Sequence, residues 1–204
     1  MEEQTREEIY ACNREALRYI QGFLRGDSEA FHSLVDLFSQ RIDRLVHKMI
    51  PSHHDAEDVV NEAWLKVAQN LHKFDQSLPF HAWLYRLTSN TCIDFLRKKR
   101  EITMEDDQLH YQLQKAPPHS DTPETLFLKK ESQNDLREML SHLDEVDRLI
   151  MTLRFSEELS YDQIGEIVGM SKNTVGTRLF RARKQLKSLW DEQLRERRAT
   201  HATY

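Results

Sequence analysis

At 204 residues the chain has room for two small domains, each burying its own core. Charged residues make up 31% and there are only five Gly and five Pro, a mix suited to helices with wet outer faces and against a sheet-rich or disordered class. The net charge of -5 argues superficially against a nucleic-acid protein, yet the distribution of charge counts for more than its sum.

The first 27 residues read as a helical leader, with Ile9, Cys12, Ala16, Tyr19, Ile20 and Phe23 as its apolar positions. Gly26-Asp27-Ser28 reads as a helix stop followed by an N-cap, so a new helix is expected from near Glu29. Phe31, Leu34, Val35, Phe38, Ile42, Leu45, Val46 and Met49 then recur at three- and four-residue spacing up to Pro51. After a loop, Asp55 is a suitable cap for a helix carrying Val59, Val60, Ala63, Trp64 and Val67. Gln69 to Pro79 is expected to connect it to a helix whose face holds Phe80, Trp83, Leu84, Leu87 and Thr91 and whose end is the basic run Arg97-Lys98-Lys99-Arg100. These helices define a first domain over 28–100.

Composition then turns acidic and proline-bearing, which predicts a flexible linker over 101–122. Thr122-Pro123 fits an N-cap followed by proline at the first helical turn, opening a second domain over 123–190 and leaving 191–204 as a tail. Within it, Ser160-Tyr161-Asp162-Gln163 has the form of a capping box, predicting a short helix from Tyr161 to Val168 that Gly169 ends. Ser171 can cap the next helix, with Val175, Leu179, Ala182 and Leu186 on its inner stripe. From Lys172 to Leu189 that helix carries Lys172, Arg178, Arg181, Arg183, Lys184 and Lys187 and no acid. Two capped helices about a glycine turn, the second basic, describe a helix-turn-helix suited to the major groove. An arbitrary basic helix is more often simply solvated; the acid-free run and the cap-turn-cap order favour DNA here.

Cys12 and Cys92 lie far apart and outside any CxxC, and the ten histidines are scattered, so no disulfide framework, metal site or cofactor is expected. There is no phosphate loop, no H-E-x-x-H and no nucleophile elbow, which speaks against an enzyme and a small-molecule substrate. No apolar run approaches the ~20 residues of a membrane span, and Met1-Glu2-Glu3-Gln4 lacks the opening of a secretory signal, which together predict a cytoplasmic protein.

Several motifs in order resemble one family. Gly26-Asp27-Ser28-Glu29-Ala30-Phe31, then Asp55-Ala56-Glu57-Asp58-Val59-Val60-Asn61-Glu62, then Trp83-Leu84-Tyr85-Arg86 with Asn90, Asp94 and Arg97 are similar to region two of the sigma-70 family, in its compact extracytoplasmic-function (ECF) branch. Leu159-Ser160-Tyr161-Asp162-Gln163-Ile164 and Thr174-Val175 through Arg178-Leu179-Phe180-Arg181-Ala182-Arg183 resemble its region four. The resemblance implies an all-α chain in which a three-helix region-two bundle and a region-four helix-turn-helix are joined by the linker, which would thread near the RNA exit path. It implies an alternative sigma factor that binds RNA polymerase core, directs it to promoters and assists their melting.

By carry-over, Asp55, Asp58, Asn61 and Glu62 would dock on the clamp helices of the largest polymerase subunit, with a further contact at the flap. Lys73, Phe74, Arg86, Asn90, Arg97 and Lys98 would hold the minus-ten element, whereas Phe80 and Trp83 share a face with Leu84 and Leu87 and are expected in the core. Ser171, Lys172, Asn173, Thr174, Thr177, Arg178, Arg181, Arg183 and Lys184 would meet the minus-thirty-five element. An anti-sigma factor, membrane-anchored in many members, is the further partner the family implies. Three positions depart from the family pattern: Asn173, Gly176, and Asp144 where proline usually follows Leu143. Gly176 weakens its helix by about 1 kcal/mol relative to alanine, which suggests close backbone approach to DNA. The rival reading is a conventional helix-turn-helix repressor or activator that binds duplex DNA without polymerase.

Overall fold

The computed structural model describes residues 2–106 and 139–201, with side chains described over 12–101, 139–191 and at 195. The chain forms α1 (Glu2–Leu24), α2 (Ser28–Met49), α3 (His53–Asn70), a 3-10 turn (Leu71–Lys73), α4 (Phe80–Asp106), α5 (Glu145–Phe155), α6 (Tyr161–Val168) and α7 (Lys172–His201), with no strand among the described residues. The all-α expectation holds. The segment 107–138, which contains most of the expected linker and the Thr122-Pro123 helix start, lies outside the described residues.

Local chemistry sets the helix boundaries. Asp27 caps α2, its carboxylate accepting from Glu29 N at 3.0 Å and Ala30 N at 3.4 Å. The start of α3 differs from the sequence reading: Ser52 is the cap, accepting from Asp55 N at 3.4 Å, so Asp55 stands in the first turn. The two roles are compatible with the dipole, which favours an acid within that turn as much as at the cap. Two ends also run on: α4 continues past Arg100 to Asp106, and α7 continues through the expected tail to His201.

The stripe at three- and four-residue spacing on α2 is the centre of the first bundle, with Leu34, Phe38, Ile42, Leu45, Val46 and Met49 all buried. Ala16 and Ile20 of α1 and Ala56, Val59, Ala63, Trp64 and Val67 of α3 pack around it. Phe80 at the head of α4 is fully buried and touches three rings: Phe38 and Phe74 at 5.4 Å and Trp83 at 5.7 Å between centroids. Burying such rings stabilises the bundle by about 1.5–3 kcal/mol each.

In the second half, α6 begins with the expected capping box: Gln163 N donates to Ser160 Oγ at 3.3 Å and Ser160 N donates to Gln163 Oε1 at 2.9 Å. Gly169 ends α6 at φ 70°, a left-handed conformation that costs glycine little. Gly165 is needed for a different reason: a Cβ there would lie 2.5 Å from the Met170 carbonyl oxygen, the closest approach in the turn. Ser171 then caps α7 by accepting from Thr174 N at 3.2 Å.

The two halves share a seam, with α2 and α4 packed on α5 and α6. Arg148 of α5 is buried there. It donates to the carbonyls of Leu140 (2.9 Å), Ser141 (2.9 Å) and Leu143 (3.3 Å) on its own side and to Met49 at the end of α2 (2.9 Å). Tyr85 of α4 donates to Glu157 at 2.5 Å, and Arg100 pairs with Glu145 at 3.0 Å. Arg148, Tyr85 and Glu157 are buried and would be costly to leave unpaired, whereas Arg100 is exposed.

Candidate nucleic-acid and polymerase interfaces

Sequence reasoning singled out three surfaces. The first is the outer face of α3. Asp58, Asn61 and Glu62 are exposed there and Asp55 is half-buried. Glu62 pairs with Lys66 one turn on at 2.7 Å, and Asp58 lies 3.9 Å from His54. Asp55 accepts from Lys99 of α4, a bond that holds its carboxyl below the ordinary carboxylate range against the opposing pull of burial. The face is therefore acidic and water-exposed at three positions, with the fourth tied to the neighbouring helix.

The second surface is α4 with the turn before it. Asn90, Arg97 and Lys98 are exposed, and Asn90 and Arg97 fall with Arg86 on one helical stripe. Lys73 is exposed and donates to Asn70 Oδ1 at 3.3 Å. Phe74 is a correction to the sequence reading: it is 6% exposed, with its ring 5.4 Å from Phe80 and 5.3 Å from Trp83, so a base has no open face to stack on. Its apolar area is worth more in the aromatic cluster than at the surface. Arg86 donates to the backbone carbonyl of Glu166 on α6, so the other half of the molecule occupies it.

The third surface is the outer face of α7. Val175, Leu179 and Ala182 point inward and are buried, which turns Asn173, Thr174, Thr177, Arg181 and Lys184 to solvent. Ser171 acts as the cap and Thr177 donates back to Asn173 O at 2.9 Å. Lys172 is paired with Asp162 at 2.7 Å, and the Arg183 guanidinium lies 5.7 Å from the Phe155 ring centroid. Gly176 is half-buried beside the Tyr161 ring, which lies 3.5 Å from where a Cβ would stand, an ordinary contact distance. Phe180 stands out at 70% exposed.

Arg178 has partners that the sequence reading missed. Its Nη1 lies 2.6 Å from Asp147 and 3.4 Å from Asp144, both at the start of α5, and this pairing raises its pKa. Asp144 also caps α5, accepting from Asp147 N at 2.8 Å. Burial tends to raise the Asp144 pKa, but these bonds and the nearby guanidinium outweigh it and hold the carboxyl low. The trio lines a concavity of about 420 Å³ together with Asn173, Thr174, Thr177 and Arg181. No local spacing rule links positions 147 and 178; the only signal was the acid at 144 where proline is usual. Tyr85, Glu157 and Arg148 were likewise unflagged; Arg148 stands beside Asp147 at the edge of the apolar run from Leu149 to Leu153, where a charge looks solvated.

What this arrangement offers is a capped basic helix beside a helical bundle with an acidic outer face. No group of three or more His, Cys, Asp or Glu poised for a metal occurs among the described residues, and no helix there is long and apolar enough to cross a membrane. Residues 34–102 match the family model for Sigma-70 region 2, and residues 133–186 match that for Sigma-70 region 4. The ECF RNA polymerase sigma factor SigW of Bacillus subtilis (strain 168) is 31% identical over 179 residues, spanning 84% of this chain and 92% of the relative. Among solved structures, CnrH in complex with the cytosolic domain of CnrY superposes with a TM-score of 0.65 at 21% identity, over 89% of this chain and 98% of that one. The sigma factor RpoE of Bartonella quintana in complex with the anti-sigma factor NepR gives 0.62 at 21% identity, over 79% and 96%. At such identity these two structures speak for the fold. The sequence matches carry the family, and they give the conventional repressor no support: the chain belongs to the sigma-70 family and is an alternative sigma factor of the ECF type.

Proposed function

We propose that the chain acts in the cytoplasm as a region-two domain (28–100) and a region-four domain (123–190) that bind core polymerase together and divide promoter recognition between them. The α3 face with Asp58, Asn61 and Glu62 serves the clamp helices of the largest subunit, assisted by Asp55 from the first turn, while the C-terminal half meets the flap. An anti-sigma factor holds the chain inactive, in keeping with the inhibitor-bound state of a structural neighbour. Catalysis of RNA synthesis belongs to polymerase.

Upstream recognition falls to α7. The observation that carries this is its outer face: Asn173, Arg181 and Lys184 stand exposed on a helix whose start is fixed by the Ser171 cap and the Gly169 turn. Arg and Asn side chains read base edges, each good bidentate pair giving about 1–3 kcal/mol of discrimination, and lysines reward phosphate. Melting falls to α4. Extruding a base costs a few kcal/mol, and a ring contributes about 1–3 kcal/mol by stacking on it. Phe74 and Phe80 are committed to the core, so the single strand is gripped by Lys73, Asn90, Arg97 and Lys98, and by Arg86 once it is freed.

Freeing Arg86 follows from simple lengths. Elements centred at minus ten and minus thirty-five are about 25 steps apart, or ~85 Å of duplex at 3.4 Å per step. A chain of this length packed as one body has a radius of gyration of ~17 Å, and its longest helix, the 30-residue α7, is itself only about 45 Å long. The seam between α4 and α6 must therefore part for both elements to be held at once. Footprinting combined with permanganate reactivity separates the two roles. Charge reversal at Arg181 is expected to erase upstream protection, while Asn90→Ala or Arg97→Ala preserves it and lowers thymine reactivity. Equal loss of both signals in every variant would refute the division.

A further inference from the structure

We propose that Asp144 and Asp147 are positioning residues for promoter choice: they hold the Arg178 guanidinium in one orientation on the reading face of α7 and keep phosphate away from it. The proposal rests on the assignment of α7 to the upstream duplex. Its basis is the three-residue contact at the start of α5, where one guanidinium nitrogen meets two carboxylates, at 2.6 Å and 3.4 Å.

Two physical consequences follow. An arginine has five donors in a planar fork and considerable rotamer freedom. With Nη1 held by two carboxylates of α5, the guanidinium loses much of its freedom to turn, and it lines the concavity together with Asn173, Thr174, Thr177 and Arg181. A fixed fork distinguishes base edges, whereas a free one swings to the nearest phosphate and grips every sequence alike. The charge count acts in the same direction. Asp144 and Asp147 offset the charge of Arg178 and Arg181 in the lining of the concavity, which removes the excess positive charge that would reward phosphate there and leaves base-edge acceptors as the better partners. Asp144 owes its cap role to its position and Asp147 does not; of the two, Asp147 makes the shorter contact with Arg178.

The test uses holoenzyme assembled from core polymerase and the full chain, scored by transcription from a promoter library randomised across the upstream element. Binding of the full chain alone to random-sequence duplex is measured in parallel. Asp147→Asn is expected to flatten preference at one or two positions by about tenfold, the size of one bidentate contact, while random-duplex affinity rises about threefold. Arg178→Ala flattens the same positions without that rise, and adding Asp147→Asn to it flattens them no further. Asp144→Asn, which keeps a capping side chain, moves in the same direction by less, and Asp147→Glu restores preference. Asp147→Asn lowering output from all sequences alike, or leaving the preference profile unchanged, would overturn the proposal and make the pair a fold contact only. If Arg181→Ala and Arg178→Ala both leave the profile untouched, the assignment of α7 to the upstream duplex falls, and the proposal with it.

Discussion

The engaged cations of α4 and those of α7 differ in where their partners lie. Arg86 and Arg100 on α4 are engaged across the seam, by the Glu166 carbonyl and by the Glu145 carboxylate, whereas Lys172 and Arg178 on α7 pair with acids of their own half. Both helices also present cations to water, Arg97 and Lys98 on α4 and Arg181 and Lys184 on α7. The difference comes from packing: α4 lies against the second half of the molecule, whereas the acids that pair with α7 belong to its own half.

The largest effect that would break this comparison is at Arg148. Arg148→Met strips donors from four carbonyls, one of them across the seam, and is expected to cost about 3–4 kcal/mol in urea unfolding. A cost below about 1 kcal/mol would mean that the seam is not held this way.

Acid should act on the first bundle with nearly the same size. Burial, with help from Arg41, lowers the His81 pKa to about 4, and Asn13 Nδ2 donates to its Nδ1 at 2.8 Å, which requires an unprotonated nitrogen. A histidine depressed in the folded state contributes stability above its unfolded pKa, and that stability is lost as pH falls from about 6.5 towards 4. The loss is up to about 3 kcal/mol. Comparing unfolding at pH 7.5 and 4.5 should show it in the native chain and much less of it in His81→Gln.

Glu157→Gln should have a smaller effect, weakening the Tyr85 bond and the approach of Arg44 at 3.9 Å by about 1–2 kcal/mol. Its signature is a wider distance between labels on α2 and α6, with each half still helical. On the open side, Arg181→Ala should change stability by less than about 0.5 kcal/mol. Promoter binding should nonetheless fall about tenfold, with a shallower salt dependence if phosphate is its partner.

Much of this fold was legible because it is written in local chemistry. The α6 boundaries, the Gly169 stop and the Ser171 cap follow from side chains within three residues of the groups they satisfy, and the α2 stripe follows from period alone. The Ser52 cap was missed because Asp55 offers an equally good signal three residues on. Phe74 was misplaced because it was carried over from the family motif, which does not show the rings of Phe80 and Trp83 packed against it. The grip of Asp147 on Arg178 and of Glu166 on Arg86 joins residues 31 and 80 positions apart, a relation that only the folded chain creates.

The most direct measurement is run-off transcription by purified core polymerase on a genomic fragment library, with and without the chain and with Asp58→Lys. The account predicts new discrete start sites that vanish with Asp58→Lys while that variant keeps its helical content and its upstream duplex affinity. No new start sites, or sites indifferent to charge reversal at Asp58, would contradict the assignment of α3 as the polymerase-binding face.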